Sequence, residues 1–270
     1  IDGYWNAKSR IMRGDGSAVI GVDDAHSKKL YETIESRAPR IPVSLEKALS
    51  KGIALDEENR LISSLAGREK MEPTGLKMND LPSLRGRHNW QNAACAYGAC
   101  RLWGLERERI IAGMKSFPGL PHRQYLVRVI NGVSYVNDSK ATNAAATATA
   151  LRSFNPIYWI LGGRPKEGGL KGLEEHMNKI RHAFVIGEAE EDFCKWLKEL
   201  NVPHTACGKL DAALPLAHEI AQKERSRPGG PGVVLFSPAC ASFDQFENFE
   251  ARGDYFAQLV HALPKQDDQS

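Results

Sequence analysis

The sequence predicts an α/β protein of two domains, and three observations support this prediction. In the second half of the chain, apolar strand patterns alternate with helix patterns, the order typical of βαβ units. Residues 232–236 (GVVLF) form a continuous apolar run, as in a strand buried on both faces of a parallel sheet. Pro118 and Gly119 interrupt the helix pattern, so the domain boundary is placed there. The predicted domains are 1–119, a partial α/β domain, and 120–270, a Rossmann-like domain with a mostly parallel sheet.

The first domain is expected to begin with a short strand at residues 17–24 that ends in an acidic turn, followed by a helix through Ile34. Residues 40–86 contain short extended segments separated by Gly, Pro, Asn and Asp. This pattern predicts small antiparallel strands and loops. Two helices, at 89–102 and 106–116, complete the domain.

The second domain is expected to open with a β-hairpin, because Asn131-Gly132 lies between two alternating apolar runs. Strands and helices then alternate toward the end of the chain. The predicted strands lie at residues 125–130, 133–137, 157–161, 182–186 and 233–236, and the predicted helices at 143–152, 170–179, 190–200, 210–224 and 246–263.

Composition excludes several classes of function. The formal charge of +3 is small and the basic residues are interleaved with acidic ones, so we expect no nucleic-acid partner. The five cysteines are scattered and lack CxxC spacing, which indicates neither a disulfide framework nor a zinc site, and favours the reducing cytoplasm. No apolar run approaches the ~20 residues of a membrane span, so no membrane insertion is expected. Without an initiator Met or a signal peptide, the first residue is expected to be an internal starting point.

Two loops that follow predicted strands carry lysines in positions suited to anions. Residues 138–142 (DSKAT) precede an Ala/Thr-rich helix, whose N-terminal N–H groups and dipole favour an anion, and Lys140 adds a full positive charge. In residues 161–169 (LGGRPKEGG), paired glycines allow close backbone approach and Lys166 follows within reach of a bound carboxylate. The alternatives are an ordinary capped helix with a solvated lysine, and a plain Gly-rich loop.

Small, hydroxylated and aromatic residues follow the last predicted strand, in residues 237–253 (SPACASFDQFENFEARG). Ligands of parallel sheets bind just beyond strand ends of this kind, so the segment is interpreted as a ligand-holding turn. Asn89 and Asn92 lie at a helix start, where amide side chains can both donate to and accept from an adenine edge. The alternative for Asn89 is a helix N-cap.

Four segments, in this order, resemble the Mur ligases: residues 86–93 (GRHNWQNA), 119–123 (GLPHR), 136–143 (VNDSKATN) and 237–253. The last is most similar to the D-glutamate-adding members, which also have SPACAS followed by DQF and NF. The resemblance implies an ADP-forming amide ligase that uses ATP and Mg²⁺. It would activate the carboxylate of UDP-N-acetylmuramoyl-L-alanine as an acyl phosphate, which D-glutamate attacks, during peptidoglycan precursor synthesis.

The resemblance also assigns nucleotide and catalytic roles. Lys140 would lie near the nucleotide phosphates and the acyl phosphate, and Asp138 would contact the ribose. His122 and Arg123 would form a linker pair that reaches the nucleotide, with Arg123 pairing to phosphate through its planar fork; a solvated arginine is the alternative. In the first domain, the resemblance makes Asn89 and Asn92 nucleotide contacts and His88 a neighbour of that site.

The acceptor pocket and the metal site are likewise assigned by resemblance. Lys166 would anchor the side-chain carboxylate of D-glutamate, with Ser242 as its polar partner, Thr142 helping to hold the acceptor and Phe249 as the pocket wall; a core position is the alternative for Phe249. Pro165 departs from the small or acidic residues expected beside Lys166. Lys8 aligns with a lysine that these ligases carbamylate, and a carbamate oxygen suits Mg²⁺. A surface lysine that begins a helix is the alternative.

The phosphate-binding consensus G-x-x-x-x-G-K-[ST] does not occur, since the single Gly-Lys pair, Gly208-Lys209, is followed by Leu210. In the Mur ligases this motif opens the central ATP-binding domain, so the resemblance implies that residues 1–119 are the later part of that domain and that residues 120–270 are an amino-acid-binding domain. The chain is expected to be monomeric and inactive alone. Two alternatives stay open: another Mur ligase or folylpolyglutamate synthase relative with a different acceptor (meso-diaminopimelate or L-lysine in the Mur case), and a non-catalytic binding module.

Overall fold

Two sheets of different topology organise the chain, a five-stranded sheet in the unit Ile1–Pro118 and a six-stranded sheet in the unit Gly119–Ser270. The structure is a computed structural model. It describes residues 3, 7, 9–12, 16–33, 39–65, 69–81, 83–84 and 86–264. Lys8 lies outside the described residues. No helix within the described ranges combines the length and the apolar character of a membrane span.

The sheet of the first unit combines parallel and antiparallel pairing. Its strands, in spatial order, are β1 (Ala18–Gly21), β2 (Arg40–Ser44), β3 (Ile53–Leu55), β4 (Arg60–Ser63) and β5 (Glu72–Lys77). The pairs β1–β2 and β2–β3 are parallel, whereas β3–β4 and β4–β5 are antiparallel. The prediction of antiparallel strands is therefore wrong for β2, because α1 (Ala25–Thr33) returns the chain beside β1 as a βαβ unit.

The remaining helices of the first unit are α2 (Arg87–Leu102) and α3 (Arg107–Ser116), with 3₁₀ turns at Arg10–Met12 and Met78–Asp80. The alternative of Asn89 as an N-cap is wrong, because Gly86 occupies the N-cap position with φ 89° and Asn89 lies inside the first turn. Gly98 lets α2 pack closely on the sheet, since a Cβ there would lie 2.6 Å from Ile53 Cδ1. Ala93, Ala94 and Tyr97 complete the buried face of α2.

The sheet of the second unit confirms the predicted Rossmann-like, mostly parallel fold. Its strands are β6 (Tyr125–Ile130), β7 (Val133–Asn137), β8 (Ile157–Gly162), β9 (Ile180–Ile186), β10 (His204–Gly208) and β11 (Val233–Phe236). The spatial order is β10-β9-β8-β11-β7-β6. Only the β6–β7 hairpin is antiparallel. Every residue of β8 and β11 is buried, as their apolar runs predict.

Helices cover both faces of this sheet. They are α4 (Ala144–Ser153), α5 (Glu190–Glu199), α6 (Leu210–Lys223) and α7 (Phe249–Ala262), with a 3₁₀ helix at Glu174–Lys179. One apolar cluster contains Leu151 of α4 and Phe193 of α5, and a second contains Leu214 of α6 and Phe256 of α7. Trp159 of β8 belongs to the first cluster and Tyr158 to the second, so successive residues of the strand face opposite layers.

Three elements of the second unit differ from the prediction by more than two residues. No α-helix forms at 170–179, where Gly172 has φ 90° and only a 3₁₀ helix follows from Glu174. β10 has the sequence HTACG, which lacks an apolar alternation and therefore gives no strand signal. α7 begins at Phe249 instead of residue 246, because the Asn248 side chain accepts from Ala251 N at 2.7 Å and caps the helix there.

Candidate active site

The loops that follow β7, β11 and β8 lie side by side at one edge of the sheet, because β11 is inserted between the other two strands. Backbone hydrogen bonds join them. Asp138 N donates to Phe236 O at 2.7 Å and Gly162 N to Pro238 O at 2.9 Å. Arg164 and Ala241 exchange two N–H···O bonds of 3.0 Å. This edge, where the strand order changes direction, is where parallel sheets bind ligands.

Asp138 is buried at the base of this edge, with both carboxylate oxygens engaged by the protein. Oδ1 accepts from Gln124 N at 3.1 Å and Oδ2 accepts from the hydroxyl of Ser237 at 2.8 Å. Burial raises the pKa of Asp138 to about 7, although the two hydrogen bonds and the charge of Arg123 act in the opposite direction. These contacts join the loops after β7 and β11 to the start of β6, and the ribose contact of Asp138 stays a prediction.

The raised pKa of Asp138 predicts a pH dependence of stability. The folded protein holds this proton up to about pH 7, whereas the unfolded carboxyl releases it near its ordinary value of 3.8. The free energy of unfolding contributed by Asp138 should therefore fall as pH rises from about 4 to about 7. Urea denaturation across this range, compared with Asp138→Asn, measures the effect. The variant should lack this part of the slope, and an identical slope in both proteins would contradict the assignment.

Lys140 and Phe249 form a cation–π contact at the same edge. Nζ of the exposed Lys140 lies 3.8 Å from the centre of the half-buried Phe249 ring, in the first turn of α7. The backbone of Lys140 is fixed as well, since its N–H donates to His122 O at 2.9 Å. The His122 ring packs edge-on against Phe249, with the ring centres 6.2 Å apart. The structure thus brings together three residues that the sequence assigned to the site.

Lys166 and Thr142, from the loops after β8 and β7, also meet. Lys166 Nζ donates to Thr142 Oγ1 at 3.3 Å. Ser242 follows Ala241, the partner of Arg164 in the bridge between the loops, and is buried. An exposed ammonium group beside a hydroxyl is a set of donors suited to a carboxylate.

Arg252, for which the sequence predicted no role, joins the loops after β7 and β11 by buried hydrogen bonds. It is 1% exposed. Its Nε donates to Ser139 Oγ at 3.0 Å, and its Nη2 donates to the carbonyl oxygens of Ser139 and Cys240 at 2.9 and 3.1 Å. Burial lowers the pKa of Arg252 to about 10. Its spacing in the sequence could have indicated a place at the site, because Arg252 lies one helical turn after Phe249 and so on the same face of α7.

The first unit holds its predicted nucleotide residues at the start of α2. His88 and Asn92 are exposed and Asn89 is half-buried. Asp23, after β1, fixes this helix start: it accepts from Gln91 Nε2 at 3.0 Å and from Ser44 Oγ and Leu45 N at 2.5 and 2.8 Å. Asp23 therefore joins the ends of β1 and β2 to the helix that carries the two asparagines.

Comparison with known proteins gives extended sequence matches, although no family model matches the chain. The UDP-N-acetylmuramoylalanine--D-glutamate ligase of Paramagnetospirillum magneticum is 42% identical over 265 residues, covering 97% of this chain and 55% of that protein. The enzymes of the same name from Rhodospirillum rubrum and Nitrobacter hamburgensis are 43% and 44% identical, covering 97% and 98% of this chain and 54% and 56% of theirs. The chain thus spans about half the length of the curated relatives it matches.

Solved structures share the fold at much lower identity. The UDP-N-acetylmuramate-alanine ligase MurC of Thermotoga maritima superposes with a TM-score of 0.59 at 15% identity, over 96% of this chain and 54% of that one. The bifunctional folylpolyglutamate synthase/dihydrofolate synthase of Yersinia pestis gives 0.58 at 17% identity, over 96% and 56%. The solved structures thus share the fold, and the sequence matches along almost its whole length show that the chain belongs to the Mur ligase family.

Proposed function

We propose that the chain is the acceptor-binding part, and a part of the nucleotide site, of an ATP-dependent ligase that joins D-glutamate to UDP-N-acetylmuramoyl-L-alanine in peptidoglycan precursor synthesis. The observation that carries the proposal is the meeting of Lys140, Thr142 and Lys166 at the carboxyl edge of the six-stranded sheet. The relatives that are 42–44% identical are named as ligases of D-glutamate, which supports this acceptor. The acceptor domain would comprise residues 120–270, and residues 1–119 would belong to the ATP-binding domain.

The acceptor pocket follows from the charges at this edge. D-Glutamate carries two carboxylates, and a site for it needs fixed donors that are not already used within the protein. Lys166 and Thr142 supply an ammonium and a hydroxyl 3.3 Å apart. In the proposal Lys166 holds the side-chain carboxylate, Ser242 is its polar partner and Phe249 forms the wall. Pro165 precedes Lys166 without preventing this contact with Thr142.

Transfer of a phosphoryl group to the donor carboxylate concentrates negative charge, which fixed cations can stabilise. Lys140, the cation proposed for this role, is held by its backbone hydrogen bond to His122 and by its contact with the Phe249 ring. Arg123 is exposed on the turn that leads into β6, so its guanidinium group can reach a phosphate. Asn89 and Asn92 would contact the adenine, with His88 beside them. Asp138 would contact the ribose at the carboxyl edge of the six-stranded sheet.

A divalent ion belongs to the proposed reaction, since a folylpolyglutamate synthase of this fold was solved with AMPPNP and a Mn ion. The described residues contain no group of three or more His, Cys, Asp or Glu that could hold a metal ion. Mg²⁺ and a carbamate on Lys8 remain part of the proposal, as do a cytoplasmic location and a monomeric state.

The test is a chimera that joins this chain to the remaining part of the Rhodospirillum rubrum relative. ADP release would be measured with ATP, Mg²⁺ and UDP-N-acetylmuramoyl-L-alanine, offering D-glutamate, L-glutamate, meso-diaminopimelate and L-lysine separately. We expect release with D-glutamate and rates at least roughly 100-fold lower with the other acceptors, because a site built on fixed polar donors discriminates strongly.

The matched control is the intact Rhodospirillum rubrum enzyme, which establishes that the substrates and the assay are sound. Release by a folded chimera with meso-diaminopimelate or L-lysine would keep the ligase class and overturn the acceptor. A folded chimera that releases no ADP with any of the four, while the control does, would contradict the proposed function and favour a non-catalytic binding module.

A further inference from the structure

The amide of Asn137, at the end of β7, has an orientation fixed by the backbone. The residue is 1% exposed. Its Nδ2 donates to Gly253 O at 2.8 Å and its Oδ1 accepts from Ser139 N at 3.1 Å. Because a backbone N–H only donates and a backbone carbonyl only accepts, these two partners determine which end of the amide carries the hydrogens. The assignment is independent of any histidine nearby.

The second Nδ2 hydrogen of Asn137 faces His122, whose Nδ1 lies 3.2 Å away. Because Asn137 Nδ2 donates this hydrogen, Nδ1 of His122 must accept it with its lone pair and therefore carries no proton. The ring proton then belongs to Nε2. Nε2 lies 3.5 Å from a carboxylate oxygen of Asp254, a side chain that is 78% exposed. The two ring nitrogens of His122 therefore have different and defined partners.

The position of the His122 ring is restricted by three further contacts. His122 has the left-handed backbone conformation with φ 60°, and its carbonyl oxygen accepts from Lys140 N at 2.9 Å. Gly253 lies directly against the ring, and a Cβ at that residue would overlap Nδ1 and come within 3.0 Å of Cε1. The edge of the ring faces Phe249. Turning the ring over would put carbon atoms where its nitrogens are and so lose the contacts of Nδ1 with Asn137 Nδ2 and of Nε2 with the Asp254 carboxylate.

We propose that Asn137 is a positioning residue that holds His122 in the Nε2–H tautomer, so that His122 acts as a hydrogen-bond donor toward an anionic oxygen and not as a base. Nδ1 is already used by Asn137, which leaves Nε2 as the nitrogen that can meet a ligand. The Asp254 carboxylate lies 3.5 Å from Nε2, and its exposed side chain can move aside. The donor role of His122 in catalysis rests on the proposed function, since a phosphoryl or carboxylate oxygen is the acceptor expected there. The assignment of the tautomer does not depend on the proposed function.

The tautomer is tested on the full 270-residue chain labelled with ¹⁵N-histidine. Long-range ¹H–¹⁵N correlation spectra distinguish a protonated from a bare ring nitrogen, and the loss of one signal set in His122→Gln assigns His122 among the eight histidines. We expect Nε2 protonated and Nδ1 bare. Asp254→Ala should leave this pattern unchanged, whereas Asn137→Ser should produce averaged shifts. A wild-type spectrum with Nδ1 protonated overturns the proposal, even if Asn137→Ser does not fold.

The donor role is tested in the chimera by comparing His122→Gln with His122→Ala. The glutamine amide can replace the Nε2–H donor but cannot serve as a base. We expect His122→Gln to stay within about 5-fold of the unmodified chimera and His122→Ala to fall roughly 10- to 100-fold, as when one hydrogen bond to a charged group is lost. Equal losses in both variants would overturn the donor role. An inactive unmodified chimera would instead count against the proposed function and leave the tautomer result standing.

Discussion

Gly162→Ala is expected to destabilise the six-stranded sheet strongly. Gly162, the last residue of β8, has φ 120°, a conformation that residues with a Cβ rarely adopt. An added Cβ would overlap the carbonyl oxygen of Ile186 and lie 2.9 Å from its N and C atoms. These atoms belong to the neighbouring strand β9, so the strain cannot be relieved by a side-chain rotation. The loss should reach about 4 kcal/mol, a large share of a typical domain stability.

Gly168→Ala is the matched control, because Gly168 lies in the loop that follows β8, also has a positive φ (88°), and has no atom within 4 Å of the added Cβ. In this variant the added Cβ disfavours the backbone conformation but overlaps no atom. The loss of stability should therefore be only about 1 kcal/mol. Urea denaturation followed by circular dichroism compares the two. If Gly162→Ala proved as stable as Gly168→Ala, the close approach of β8 and β9 described here would be wrong.

The central strands of the second unit were predictable because burial on both faces leaves an unbroken apolar run. β11 was predicted from residues 233–236 alone, and the hairpin from Asn131-Gly132. The edge strand β10 was not predictable, since its partly exposed sequence HTACG carries no apolar alternation. The parallel pairing of β2 also escaped prediction, because a short extended segment shows that a strand exists but not which neighbour it joins or in which direction.

The site shows the same division between local signal and tertiary packing. Lys140 and Lys166 are visible in the sequence as cations after strands, but their roles came from the family resemblance. Their meeting with Phe249 and Thr142 depends on strand order, which places β11 between β7 and β8. Arg252 could not be foreseen as a buried residue, because an arginine in a helix is ordinarily exposed and its partners are the Ser139 hydroxyl and two backbone carbonyls.

The measurement that tests the central claim most directly is the KM for D-glutamate of Lys166→Met in the chimera, with ADP release as the readout. Methionine keeps the unbranched side chain and removes the charge. A charged hydrogen bond to a carboxylate contributes about 1.5–3 kcal/mol, so KM should rise roughly 10- to 100-fold. Lys171→Met, which removes another exposed lysine of the same loop, is the control and should leave KM within about 2-fold. An unchanged KM in Lys166→Met, or an equal rise in both variants, would contradict the placement of the acceptor carboxylate at the edge formed by the loops after β7, β8 and β11.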